Sequence, residues 1–368
     1  MANSTIKAAQ EIDKASKAQT SQGALLQTYC NSVLAQPEVD FKETPNLVKY
    51  QKGINDGLGI AKGHANEYLN KIQPLIFSNI ANISNYYALH NAVATTLPPG
   101  STERQWVEQL NILKDQSIQF HYDANNVITQ LQTLHQNLGV DTASFAKIVS
   151  DLNGAVNGDN GVLQSIDGQL GKLQGDIDGA IAGIALSGLA ILGGVFLTAL
   201  GAIGEIFTGG AATALVVGGI GLVVVGVGGE VASAVMLQKL NEAKADLLKN
   251  KASLKNEVKL ALGMSSAYGS LKGQSLAAMN AATQMGNAWQ FLSGDLSNLI
   301  SDLEKGITSA DKVRMLFLTA ANSVIKDVAN DTNIIKGQMA GVKGFKTPKG
   351  EYVGPFFTKT VKEYMAAS

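Results

Sequence analysis

The chain has 368 residues, a formal net charge of −1 and one cysteine. That length holds two or three compact domains or one elongated one. The 29 basic and 30 acidic residues balance without a long basic run, which argues against nucleic-acid binding, and the lone Cys30 excludes an intrachain disulfide framework.

The N-terminus, "MANSTIKAAQEIDKASKAQ", has no basic stretch leading into an apolar one, so no conventional cleaved signal peptide is visible. An amphipathic helix is expected to run to about Val33, with Cys30 packed inside. A second is expected from about Pro45 to Leu97, kinked at Pro74. The seven prolines stand at 37, 45, 74, 98, 99, 348 and 355, so none interrupts 100–347. A run that long without proline suits long helices.

In "PPGSTERQW" the prolines break the preceding helix, and Ser101 or Thr102 can cap the next. From there Trp106, Leu110, Leu113, Ser117, Phe120, Ala124, Val127, Leu131, Leu134 and Leu138 alternate in steps of four and three. This is the a/d seam of a coiled-coil-like helix, on the order of 50 Å long at about 1.5 Å per residue. A second seam is Met285, Trp289, Leu292, Leu296, Leu299 and Leu303. A looser third is Leu240, Ala243, Leu247, Leu254, Val258 and Ala261. These stripes build a core and name no activity.

Gly154, Gly161, Gly168 and Gly175 recur every seven residues, and Gly179 and Gly183 continue at four. Glycine costs about 1 kcal/mol inside a helix. Either a neighbouring backbone packs against this stripe, or the segment is weakly committed to helix.

The central block follows. Residues 179–204 and 206–229 carry no charge, and each as a helix would span roughly 36–39 Å against a hydrocarbon core of about 30 Å. The inserting positions expected in the first half are Ile181, Ile184, Leu186, Leu189, Ile191, Leu192, Val195, Phe196, Leu197, Leu200 and Ile203. In the second half they are Leu215, Val216, Val217, Ile220, Leu222, Val223, Val224, Val225 and Val227. Between the halves lies turn-like "GEIFTGG", whose Glu205, Ile206, Phe207, Gly209 and Gly210 are expected at the tip. Gly175, Gly179 and Gly183, with Gly210, Ala214 and Gly218, have the small-xxx-small spacing of close helix–helix packing in lipid.

Three readings of the block compete: a permanent two-span anchor, a buried hairpin in a soluble core, and a hairpin stored in water and released into a membrane. The second is weakest, because a soluble core helix keeps a polar face. The flanks, "DGQLGKLQGDID" and "EVASAVMLQKLNEAKADLLK", show no lopsided basic excess. Both flanks would lie on one side of a membrane and run into long amphipathic helices, which favours the third. In water the head must be covered, since exposing half of it would cost tens of kcal/mol at about 25 cal/mol per Å². "ATALVVGGIGLVVVGVGG" has high β-propensity, so it suits a β-hairpin in water and a helix in lipid. Ser187, Thr198, Thr208, Thr213 and Glu205 are too few for a polar stripe. The chain is therefore expected to supply a lipid-facing wall, with another component lining the pore.

Nothing in the sequence points to an enzyme, a metal site or a cofactor. His64, His90, His121 and His135 have no ligand spacing, and His121 and Asp123, two apart, do not share a helix face. The tail "GFKTPKGEYVGPFFTKTVKEYM" is expected to pack on the helices.

A long helical chain interrupted by "AIAGIALSGLAILGGVFLTALGAIG" and "AATALVVGGIGLVVVGVGG" around "EIFTGG" resembles the cytolysin A superfamily of α-pore-forming toxins. It looks most like the B component of the Gram-negative tripartite toxins, of the Aeromonas and Serratia type, related to Bacillus haemolysin BL and non-haemolytic enterotoxin components. The resemblance implies a secreted, soluble monomer that inserts into the target-cell bilayer, forms a ring with its own copies, and needs A and C components for lysis. It implies no active site. The expected fold class is all-α: an elongated helical-bundle tail, 1–175 and 236–368, with a hydrophobic head, 176–235. Whether the head is a β-tongue or a helical hairpin before insertion is open. Two alternatives remain: a secretion-system translocator, and a permanent two-span membrane protein with a structural coiled coil.

Overall fold

The computed structural model describes residues 2–42, 44–186, 195–200, 202–208, 211–216, 223–225, 243–244, 246–248, 250, 252–320, 325–340, 343–346, 348, 356, 359–360, 362–363 and 366. Its helices are α1 (Ala2–Ala35), α2 (Val48–Glu67), α3 (Gln73–Thr96), α4 (Glu103–Ala155), α5 (Asn160–Leu186), α6 (Asn256–Glu304), α7 (Ala310–Ala320) and α8 (Lys326–Ala340). Its strands are β1 (Val195–Leu200), β2 (Ala202–Thr208), β3 (Ala211–Val216), β4 (Val223–Val225) and β5 (Lys343–Lys346). The chain forms two compact units. One comprises 1–20, 74–130 and 278–340, and the other 21–73, 131–277 and 341–368.

The core of the first unit is the expected seam material. Trp106, Leu110, Leu113 and Ala124 of α4 are buried with Met285, Trp289, Leu292, Leu296, Leu299 and Leu303 of α6. Trp289 meets Phe120 at 5.0 Å between ring centroids and Tyr86 of α3 edge-on at 5.4 Å. His121 Nδ1 lies 2.8 Å from the Gly286 carbonyl, so α4 and α6 run antiparallel here. Lys17 of α1 joins α1 to α8 through Asp331 at 2.7 Å, and it also holds Asp13 at 2.5 Å. His90 of α3 lies flat on Phe317 of α7, 4.2 Å apart at 7°.

In the second unit the α4 seam continues through Leu131, Leu134, Leu138, Phe145 and Val149, all buried. α6 runs antiparallel to it, with His135 3.1 Å from Ser275 Oγ and Phe145 against Tyr268 at 4.5 Å. Leu254, Val258 and Ala261 of the loose third seam are buried, but Ala243 is exposed and Leu247 half-buried; Leu240 lies outside the described residues. Cys30 is fully buried, which pushes its thiol pKa up and leaves it unreactive.

The helix ends follow from local chemistry. Thr102 and Gln105 form a capping box at the start of α4: the Thr102 N–H donates to Gln105 Oε1 at 2.9 Å, and the Gln105 N–H donates to Thr102 Oγ1 at 3.3 Å. The kink expected at Pro74 is a π-helical turn, Tyr68–Ile72, just before it, where the Gln73 N–H donates to the Tyr68 carbonyl. Proline cannot donate to the preceding turn, and the wider turn absorbs the misfit. The α4 seam and the glycine series from Gly161 onward lie in two separate helices. α4 stops at Ala155 in a left-handed cap: Asn157 has φ 53°, and the Gly158 N–H donates to the Asn153 carbonyl at 2.8 Å. Asp159 then caps α5, accepting from the Gly161 N–H at 2.7 Å.

Candidate membrane-inserting head

The expected head starts inside a helix and continues as strands. Ile181, Ile184 and Leu186 fall in α5. Val195, Phe196, Leu197 and Leu200 are in β1, Ile203 in β2, Leu215 and Val216 in β3, and Val223, Val224 and Val225 in β4. Leu189, Ile191, Leu192, Val217, Ile220, Leu222, Val227, Gly209, Gly210 and Gly218 lie outside the described residues. Of the two soluble-state options for the head, the strands are what the structure contains. Among the described residues, no helix is long and apolar enough to cross a membrane.

The strands make two small sheets. β2 and β3 are an antiparallel hairpin with Glu205 opposite Ala214, Ile206 opposite Thr213 and Thr208 opposite Ala211. Only residues 209 and 210 lie between the last paired positions; both are glycine, the residue that two-residue hairpin turns favour. The reading of "GEIFTGG" as one turn is therefore corrected: Glu205, Ile206 and Phe207 are strand residues of β2. A register shift between Ala202 and Gly204 bends the start of β2. The other sheet has the order β4-β1-β5, with β1 antiparallel to β4 and parallel to β5. The hairpin expected within "ATALVVGGIGLVVVGVGG" is also corrected, because β3 pairs with β2 and β4 pairs with β1.

β5 was not legible in the sequence. Its Lys343–Lys346, "KGFK", comes from the segment expected to pack on helices, yet it lies beside β1 with Leu197 opposite Lys343 and Leu200 opposite Lys346. The only local signal is the glycine flanking a short aromatic-bearing run.

A Cβ built on Gly154, Gly168 or Gly175 would meet nothing within 4 Å. Gly175 therefore meets no other helix among the described residues; Gly179 and Gly183 are in α5, and Ala214 is in β3. Among the described residues there is no cluster of His, Cys, Asp or Glu suited to a metal ion.

The backbone arithmetic of the head limits what it can do as it stands. Among the described residues β2 and β3 pair only with each other, and a two-stranded hairpin leaves the outward N–H and C=O groups of both strands outside its own ladder. In hydrocarbon each such group costs several kcal/mol, so only helices or closed barrels cross a bilayer. A hairpin paired in this way cannot enter lipid without changing its hydrogen bonding.

A sequence-family model, Bacillus haemolytic enterotoxin (HBL), matches residues 7–180. No curated protein sequence matches. Soluble AhlB of the tripartite α-pore-forming toxin AHL from Aeromonas hydrophila is 45% identical, with 95% of this chain and 99% of that one covered and a TM-score of 0.89. Soluble SmhB of the Smh toxin from Serratia marcescens is 37% identical, with 96% and 99% covered and a TM-score of 0.89. Against the AhlB pore, at 39% identity and with 92% and 99% covered, the TM-score is 0.64. The structure thus has the conformation of the soluble forms. The secretion-system translocator and the permanent two-span anchor receive no support from these relatives. Near-complete coverage at this identity, with the same fold, assigns the chain: it belongs to the family of B components of tripartite α-pore-forming toxins.

Proposed function

We propose that this protein is released as a soluble monomer, binds a target-cell bilayer, and rebuilds its strand head into a helical hairpin that inserts. The observation that supports the reading is that a block with one internal charge, long enough to span a bilayer twice, contains paired strands over 195–200, 202–208, 211–216 and 223–225. Conversion to helix satisfies every backbone group internally, and lipid then removes the cost of covering the apolar side chains. The inserting segments are 180–204 and 211–229, with Glu205 and the Gly209–Gly210 connection carried to the far side. Moving the Glu205 carboxylate through the bilayer centre costs about 2.5–3.5 kcal/mol, small beside the tens of kcal/mol released by burying the block.

For the hairpin to form, β1 separates from both β4 and β5, and β2 from β3. Copies of the chain then assemble into a ring. The hairpin has too few polar residues to line water, so the ring wall is lipid-facing, and partner A and C components complete the lumen. Dye release from liposomes tests this: the chain alone binds and releases little large dye, and addition of the partner components gives full release. Strong release of large dyes by the chain alone contradicts the need for a lining partner.

A further inference from the structure

Away from the head, the first unit carries a groove of about 440 Å³ between α1 and α6. That lies within the range of small-ligand pockets, about 300–1,000 Å³. Its floor is Ala15 and Ala288, both buried, where larger core residues would fill the space. Lys7, Glu11 and Lys14 rise on one side at helical spacing. Gln284, Asn287 and Phe291 rise on the other.

Two features set the groove apart from an ordinary polar seam. Phe291 is 42% exposed, and the Lys7 ammonium lies 5.8 Å from its ring centroid. An exposed aromatic next to a cation is a common anchor for ligands with an apolar face. Glu11 also stands four residues after Lys7 and three before Lys14, the spacing that favours ion pairs. Yet none of Lys7, Glu11 and Lys14 forms an ion pair among the described residues. The groove holds two cations, one carboxylate and two amides.

We propose that this groove binds an acidic sugar, the terminal residue of a cell-surface glycan. The lining matches that chemistry group by group. The excess of one cation selects a single carboxylate on the ligand. Glu11 accepts hydrogen bonds from hydroxyls, and the Gln284 and Asn287 amides both donate and accept. Phe291 offers a flat apolar wall to the C–H face of the ring. A bare inorganic anion would use the lysines and leave the carboxylate, the amides and the aromatic without a role. A neutral sugar would leave the surplus cation unanswered.

The test uses the full chain in lipid-free buffer, so its outcome is independent of pore formation. Saturation-transfer NMR is run with 3′-sialyllactose, with lactose, and with inorganic phosphate as competitor. The proposal expects transfer to the sialic acid ring, none to lactose, and no displacement by millimolar phosphate. Phe291→Ser weakens binding about tenfold, as does Lys14→Glu, with both variants keeping the wild-type circular dichroism. Absence of transfer from 3′-sialyllactose, equal transfer from lactose, displacement by phosphate, or undiminished binding by both folded variants overturns it.

Discussion

Acidification should loosen the first unit through one residue. His90 lies in the core of α3, stacked on Phe317 and 6.3 and 6.4 Å from the rings of Tyr86 and Tyr87. Neither of its ring nitrogens has a hydrogen-bond partner among the described residues. Burial lowers its pKa from 6.5 to about 3. The unfolded chain therefore binds this proton between those two values and the folded chain does not. Stability is fully present above pH 6.5 and is lost as pH falls through the unfolded value toward 3. Between pH 7 and pH 5 the loss is about 2 kcal/mol, set by the unfolded pKa because the folded one is well below pH 5. His90→Phe keeps an aromatic on Phe317 and removes the titration. Urea unfolding of the two proteins at pH 7 and pH 5 gives the difference directly: wild type should lose about 2 kcal/mol more than the variant over that interval. Asp13, whose pKa is raised by burial, is common to both proteins and cancels. Equal pH slopes would refute the reasoning.

Two other substitutions probe the same unit. Lys17→Met leaves Asp13 and Asp331 facing one another without their shared cation, and should cost about 2 kcal/mol at pH 7, less than for a fully buried pair because the three side chains keep some exposure. The cost should shrink at pH 4 as the Asp13 carboxyl, whose pKa burial raises, protonates, which denaturation at the two pH values checks. Leu110→Ala empties a fully buried site in the seam and should cost about 3–4 kcal/mol in the same assay; a loss under 1 kcal/mol would mean the seam is not packed as described.

The helical part was legible because a and d positions declare their burial in advance. Trp106 through Leu138 and Met285 through Leu303 are buried or half-buried as the steps of four and three require. The capping box at Thr102 was half legible: the hydroxyl stood in the right place, and the Gln105 reciprocal bond came from the structure. The break after Ala155 was not placed although "VNGDNG" contains two Asn-Gly steps, because the glycine series left open whether the segment was helical at all. Among the described residues, nothing packs on the open positions at Gly154, Gly168 and Gly175.

The head was harder for physical reasons. Valine, glycine and alanine without charges suit a strand in water and a helix in lipid, so composition cannot choose. Two glycine-bearing sites, Gly204 and Gly209–Gly210, competed for the turn, and only pairing partners show that Glu205 precedes it within a strand. β5 pairs with β1 from more than a hundred residues away, and no local pattern encodes a partner at that distance.

The central claim is that the head is stored as paired strands and must unpair to insert. Ile206 and Thr213 are directly opposite on β2 and β3. Cysteines at both positions, joined as a disulfide, fix that pairing, and buried Cys30 does not compete. The measurement is dye release from liposomes by the oxidised double variant with its partner components, before and after reduction. The account predicts no release while the bond is intact and wild-type release once dithiothreitol opens it. Wild-type release from the oxidised protein, with the disulfide confirmed by mass spectrometry, would contradict it.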